Sequence, residues 1–135
     1  MPSILRKSAM PLVVLTFFVG AAGAIGALAR YLLGSFIAER VTSQFPLGTF
    51  VINISGAFII GLLSALLSHK LISPVAQLTL ATGFLGGYTT FSTMNWEGAQ
   101  LARSGSLLVS MLYLGGSLLC GLVAAALGLA LGGLF

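Results

Sequence analysis

The residues of this sequence best suited to chemistry are almost all neutral. Gly83-Phe84-Leu85-Gly86-Gly87-Tyr88-Thr89-Thr90-Phe91-Ser92-Thr93-Met94 sets three glycines and then a run of hydroxyls into a segment otherwise apolar enough to cross a membrane. Glycine costs about 1 kcal/mol against alanine in a helix, and Ser and Thr compete for backbone hydrogen bonds, so the segment predicts a broken helix. Non-helical backbone at bilayer depth survives only where protein buries it or where it lines an aqueous or ionic path. Freed carbonyls and half-helix ends then form an ion site. Upstream, Thr49, Asn53 and Gly56 fall at i, i+4 and i+7, placing a hydroxyl, an amide and a small residue on one helix face. Downstream, Ser106, Ser110, Tyr113, Ser117 and Gly121 form a single stripe at helical spacing.

Hydroxyl and amide donors replace part of an anion's hydration shell without fixing it by a full charge, as fast passage requires. Asn53, Ser92, Thr93, Tyr113 and Ser117 are such donors, and Phe91 stands among them with the positive ring edge that favours an anion. Carbonyls released between Gly86 and Thr89 suit a hard monovalent cation, the more so where two copies meet. The residues thus suggest a small-anion path beside a structural cation. Two charged residues are open to two readings each. Arg30 is either a snorkelling interface anchor or a buried cation near an anion's entry route. Glu97 is either an interfacial or neutral carboxyl or a pore-end group on roughly the same side as Phe91 and Met94. Asn53 alone is as consistent with inter-helix glue as with a pore; its alignment with Thr49 favours a polar track.

An enzyme finds little support. His69 lies at a helix boundary, there is no Ser-His-acid set or metal-binding cluster, and no phosphate loop followed by Lys that would take a nucleotide. Cys120 is alone in an apolar run, so neither a disulfide nor a cysteine metal site is expected.

These groups are carried by a chain of 135 residues that is 58% hydrophobic and 6% charged, with a mean hydropathy of +1.11. So few charges cannot cover a water-facing surface, which predicts a polytopic membrane protein lying in a lipid bilayer. The net charge of +4 is scattered over Arg6, Lys7, Arg30, Arg40, Lys70 and Arg103, with no basic face to follow nucleic acid. The predicted fold is all-α, one domain over 1–135, with membrane spans at 11–38, 46–68, 74–102 and 106–134 and the third broken near its middle. Arg6 and Lys7 ahead of an apolar run resemble a signal peptide, but the run is about twice the length of a signal core. Glu39 and Arg40 are expected to begin a loop. Gly20, Gly23 and Gly26, and separately Gly128 and Gly132, predict faces where helix backbones approach closely. Basic residues are nearly balanced between the two sides, so the chain is expected to insert in both orientations, and antiparallel copies to pair.

The chain resembles the Fluc (CrcB) fluoride channel family over essentially its whole length beyond an N-terminal extension. Three motifs carry the resemblance: Gly26-Ala27-Leu28-Ala29-Arg30-Tyr31, Pro46-Leu47-Gly48-Thr49-Phe50 with Asn53 and Gly56, and Gly83 through Thr93. It implies a dual-topology antiparallel homodimer in the cytoplasmic membrane, with two fluoride pores along the subunit interface. It also implies a central structural sodium ion on backbone carbonyls, here those of Gly86 and Thr89. The implied pore residues are Asn53, Phe91, Ser92, Thr93, Glu97, Tyr113 and Ser117, with Thr49 and Arg30 added by the residue reading. Two positions depart from the pattern: Met94 stands where the family has a second phenylalanine, and Gly121 where it has a pore hydroxyl. A small multidrug-type four-helix cation/proton exchanger is the main rival, but such exchangers use a glutamate in the first helix and this one carries Arg30. The second rival is an assembly protein whose glycines and hydroxyls serve packing alone.

Overall fold

The computed structural model describes residues 10–135, and their regular structure is entirely helical. Helix α1 (Leu12–Arg40) and helix α2 (Leu47–Ser68) are joined by residues 41–46. The third crossing follows as α3 (Pro74–Gln77), a π-helical stretch (Leu78–Phe84) and α4 (Leu85–Tyr88), running on without interruption. After two extended residues it resumes as α5 (Phe91–Arg103), and α6 (Leu107–Gly132) returns across the bundle. Helices α1, α2 and α6 are each long and apolar enough to span a membrane. The third crossing is assembled from shorter pieces because Thr89 and Thr90 are both extended, with φ/ψ of −79°/158° and −151°/110°.

The break therefore falls at the threonines and not at the glycines. Gly83 and Gly87 are helical, and a Cβ on Gly87 would stand 2.1 Å from the Gly23 carbonyl oxygen of α1. Reciprocally, a Cβ on Gly26 would stand 2.0 Å from the Phe84 carbonyl oxygen. The glycines let α1 and the first half of the third crossing touch backbone to backbone, which in lipid replaces the missing hydrophobic drive. Gly20, expected on the same face, meets nothing within 4 Å. Gly128 and Gly132 do pack as their spacing predicts, against Phe58, Leu62 and Ala65 of α2.

Glu39 and Arg40 belong to the last turn of α1 and not to a loop. The Arg40 guanidinium lies 3.6 Å from the centre of the Phe36 ring and donates to the Phe36 carbonyl, which sustains the helix to its end. Arg6 and Lys7 lie outside the described residues. A buried cluster of Ile52, Leu63, Ala81, Leu85 and Tyr88 joins α2 to the first half of the third crossing. The outward faces of α1 and α6, with Leu28, Leu32, Leu119 and Val123, are exposed apolar surface suited to lipid.

The turn between α5 and α6 closes on Gly105, whose φ is +87° and whose absent Cβ would meet no atom within 4 Å. The Ser106 amide donates to the Leu101 carbonyl at 2.9 Å, the six-to-one bond of a helix C-cap. Conformation and not space is the constraint. Gly105→Ala is expected to lower stability by about 1 kcal/mol, read as a reduced unfolding temperature in detergent.

Candidate functional site

The break is held open by a side chain from another helix. Asn53 Oδ1 accepts the Thr90 amide at 2.8 Å, and Asn53 Nδ2 donates to the Thr90 carbonyl at 3.1 Å. One carboxamide thus satisfies both backbone polar groups of a buried residue, much as a neighbouring β-strand would. In an unbroken helix the Thr90 amide would bond the Gly86 carbonyl and the Thr93 amide the Thr89 carbonyl. Here they go to Asn53 Oδ1 and, at 3.3 Å, to Thr90 Oγ1. The Gly86 and Thr89 carbonyls are thus among those that the break releases from helical amides.

Thr90 is the residue that sequence reasoning missed. Its side chain caps α5 through the Thr93 amide and donates to Thr93 Oγ1 at 2.9 Å, and it is buried. The signal was present: a hydroxyl three residues ahead of a second polar residue at a helix start is an N-cap pattern. The cap turns the positive end of the 13-residue α5 towards the break.

Two grooves meet at Thr90, which lines both. One runs towards the α5 C-terminus past Thr93, Thr49 and Glu97, with Arg30 on its α1 wall. In it the Glu97 carboxyl is held from two helices: Thr49 Oγ1 donates to Oε1 at 2.9 Å and Tyr113 Oη to Oε2 at 2.7 Å. The face predicted from Thr49, Asn53 and Gly56 is thus a real surface, its three residues meeting Glu97, Thr90 and Thr89 respectively. The hydroxyl stripe of α6 also turns inward. Tyr113 is fully buried, Ser110 donates to the Gly98 carbonyl at 2.7 Å, and Ser117 is buried with no hydrogen-bond partner for Oγ.

The second groove is lined by Asn53, Thr89, Phe91, Met94, Ser117 and Gly121, with Gly86 on its wall. Phe91 is 76% exposed, and Ser92 is exposed as well. Phe91 and Glu97 do not share a side as expected: they line different grooves. Six residues rotate a helix by about 600°, which leaves their side chains roughly 120° apart. The structure brings together Thr49, Glu97 and Tyr113, and separately Asn53, Phe91, Met94 and Ser117. Ser92 lines neither groove.

Comparison with known proteins identifies the family. A family model described as CrcB-like protein, Camphor Resistance (CrcB), matches residues 17–129. The chain belongs to the CrcB family. Among relatives of this CrcB chain is a protein of Acidobacterium capsulatum, 47% identical over 116 residues, covering 85% of this chain and 93% of the relative. Another, from Chlorobium luteolum, is 48% identical over 120 residues, covering 88% and 91%. A third, from a Hydrogenobaculum strain, is 49% identical over 113 residues, covering 83% and 92%. Each of the three is named fluoride-specific ion channel FluC. The CrcB chain is accordingly a multi-pass membrane protein of a transport family and not an enzyme.

Proposed function

We propose that this chain is a fluoride-selective channel that lets fluoride leave the cell passively across the cytoplasmic membrane, lowering its internal concentration and toxicity. The observation that carries the reading is the clamped break: Asn53 holds the third crossing open beside Ser117, a buried neutral donor without a partner. The names of the relatives supply the ion. Fluoride would meet the Ser117 hydroxyl and the edge of Phe91 in the second groove and pass the break at Thr90. It would then reach the Thr93, Thr49 and Glu97 end with Tyr113 at its side and Arg30 on the wall. In this reading the driving force is the fluoride gradient alone.

The second groove encloses about 500 Å³, far more than one small ion needs and open on one side. A selective path requires a cover, and an antiparallel second copy of the chain brings Phe91 of one protomer against the groove of the other. That arrangement accounts for an aromatic ring left 76% exposed beside a polar break. The same pairing brings two sets of released Gly86 and Thr89 carbonyls to the centre. Uncharged hard oxygens at a helix C-terminus fit a sodium ion, and no Cβ at Gly86 would meet an atom within 4 Å. A sodium ion bound there would supply fixed positive charge and a tie between the two breaks, a structural role.

Purified protein in liposomes tests the reading, with efflux followed by a fluoride electrode and chloride-loaded vesicles as control. Fluoride flux without chloride flux is the expected result; a well-folded dimer that passes neither, or both alike, refutes it. Met94→Phe refines the test. A thioether lacks the polarised edge of a ring, so the variant is expected to raise the fluoride rate about threefold with the dimer unchanged on size exclusion.

A further inference from the structure

We propose that Phe45, in the loop between α1 and α2, is a positioning residue that holds Tyr113 on Glu97 at the end of the ion route; the inference rests on the channel reading above. The loop is tied down on both sides. Ser43 Oγ accepts the Phe45 amide at 3.1 Å, the Leu47 amide donates to the Phe45 carbonyl at 2.7 Å, and Gln44 Nε2 donates to Ser106 Oγ at the start of α6. So anchored, the Phe45 ring stands edge to face with Tyr113, centroids 5.2 Å apart at 83°. Phe50 backs it from α2 at 5.3 Å and 70°.

Tyr113 sits on an apolar helix, where its ring can be aimed only by what packs on it. Its hydroxyl reaches Glu97 Oε2 at 2.7 Å while Thr49 holds Oε1. Phe45 also lines the groove with Thr49 and Glu97. Replacing the ring by an aliphatic group fills part of the space but removes the edge contact, so Tyr113 tilts and Oε2 loses its donor. The carboxyl group is then held on one side only and swings into the groove, where it obstructs the route. Phe45 therefore acts on fluoride through its hold on Tyr113.

Efflux from liposomes carrying the full chain tests this in a cycle of Phe45→Leu, Tyr113→Phe and the pair. Phe45→Leu is expected to slow fluoride about five-fold in the parent, and less than about two-fold on top of Tyr113→Phe, because the hydroxyl it positions is already gone. Phe45→Tyr, which keeps the ring, restores the rate to within about two-fold. Equal losses in both backgrounds, or no loss in the parent, overturn the proposal. Ultraviolet resonance Raman of Tyr113, isolated as the difference from Tyr113→Phe, reads the hydroxyl's hydrogen bond without reference to flux. A weakened bond in Phe45→Leu is expected, and an unchanged one overturns the positioning role. Should the parent protein carry no fluoride while the Raman shift is present, the channel reading fails and the positioning stands.

Discussion

Asn53→Ala is expected to cut fluoride efflux at least about 100-fold in liposomes. The carboxamide is the only side chain bonded to the Thr90 peptide amide and carbonyl among the described residues, and Thr90 is buried. Its removal strands both groups, at about 1–3 kcal/mol for each one left unpaired. The relief open to the chain is to close the break, returning the Thr90 amide to the Gly86 carbonyl, which destroys the gap between α4 and α5. A rate loss of about 100-fold corresponds to roughly 2.7 kcal/mol, within what one such group supplies. Asn53→Asp separates geometry from charge. The carboxylate still accepts the Thr90 amide and keeps the break, but it presents a negative charge to an anion and cannot donate to the Thr90 carbonyl. The variant is expected to conduct as poorly as the alanine variant, at a stability about 1–3 kcal/mol below the parent for the Thr90 carbonyl left without a donor. An Asn53→Ala protein that conducts normally as a well-folded dimer would show that the clamp serves packing alone.

Gly128→Leu is expected to abolish folding in the membrane. A Cβ at this position would stand 2.0 Å from the Phe58 carbonyl oxygen and 2.9 Å from the Leu62 amide nitrogen, both backbone atoms of α2 that cannot turn aside. On the same interface a Cβ at Gly61 would stand 2.1 Å from the Ala125 carbonyl oxygen. The two helices touch at paired glycines, so one large side chain drives them apart along their length. The cost exceeds about 3 kcal/mol, the upper range for overpacking a core, and takes a marginally stable protein below its threshold. Gly20→Ala is the matching control, because Gly20 meets no atom within 4 Å and alanine is the better helix former. Size exclusion in detergent after expression distinguishes them: no monodisperse peak for Gly128→Leu, a parent-like peak for Gly20→Ala. A monodisperse, thermally stable Gly128→Leu protein would mean that α2 and α6 do not pack as described.

Much of the polar arrangement follows from spacing. Thr49, Asn53 and Gly56 are bound to one face by helical geometry, as are Ser110, Tyr113 and Ser117, and both faces turned inward because lipid leaves hydroxyls and amides no better place. That the third crossing must break was equally legible, since glycines and hydroxyls together make a poor helix. Where it breaks was not. Propensity alone favours the glycines, but Gly83 and Gly87 are worth more as the contact surface for α1, and only the partner helix reveals that. The break moved to Thr89 and Thr90 because Asn53 stands opposite them and can replace the helical hydrogen bonds.

The opposed placement of Phe91 and Glu97 was accessible by counting residues around the helix. The pairing of Glu97 with Tyr113 was not, because it joins residues from two helices whose relative rotation no local pattern records. Phe45 lay further out of reach, in a loop with no periodicity, its contacts set by how that loop docks on α6. By itself the sequence determined the membrane class, the broken third helix and which residues are polar on which faces, since each follows from composition or from one helix's own period. The tertiary structure alone decided the site of the break, the division of the polar residues between two grooves and the clamp on Glu97. Those depend on which backbone groups find a partner across helices, and a buried polar group takes the partner it is given by packing.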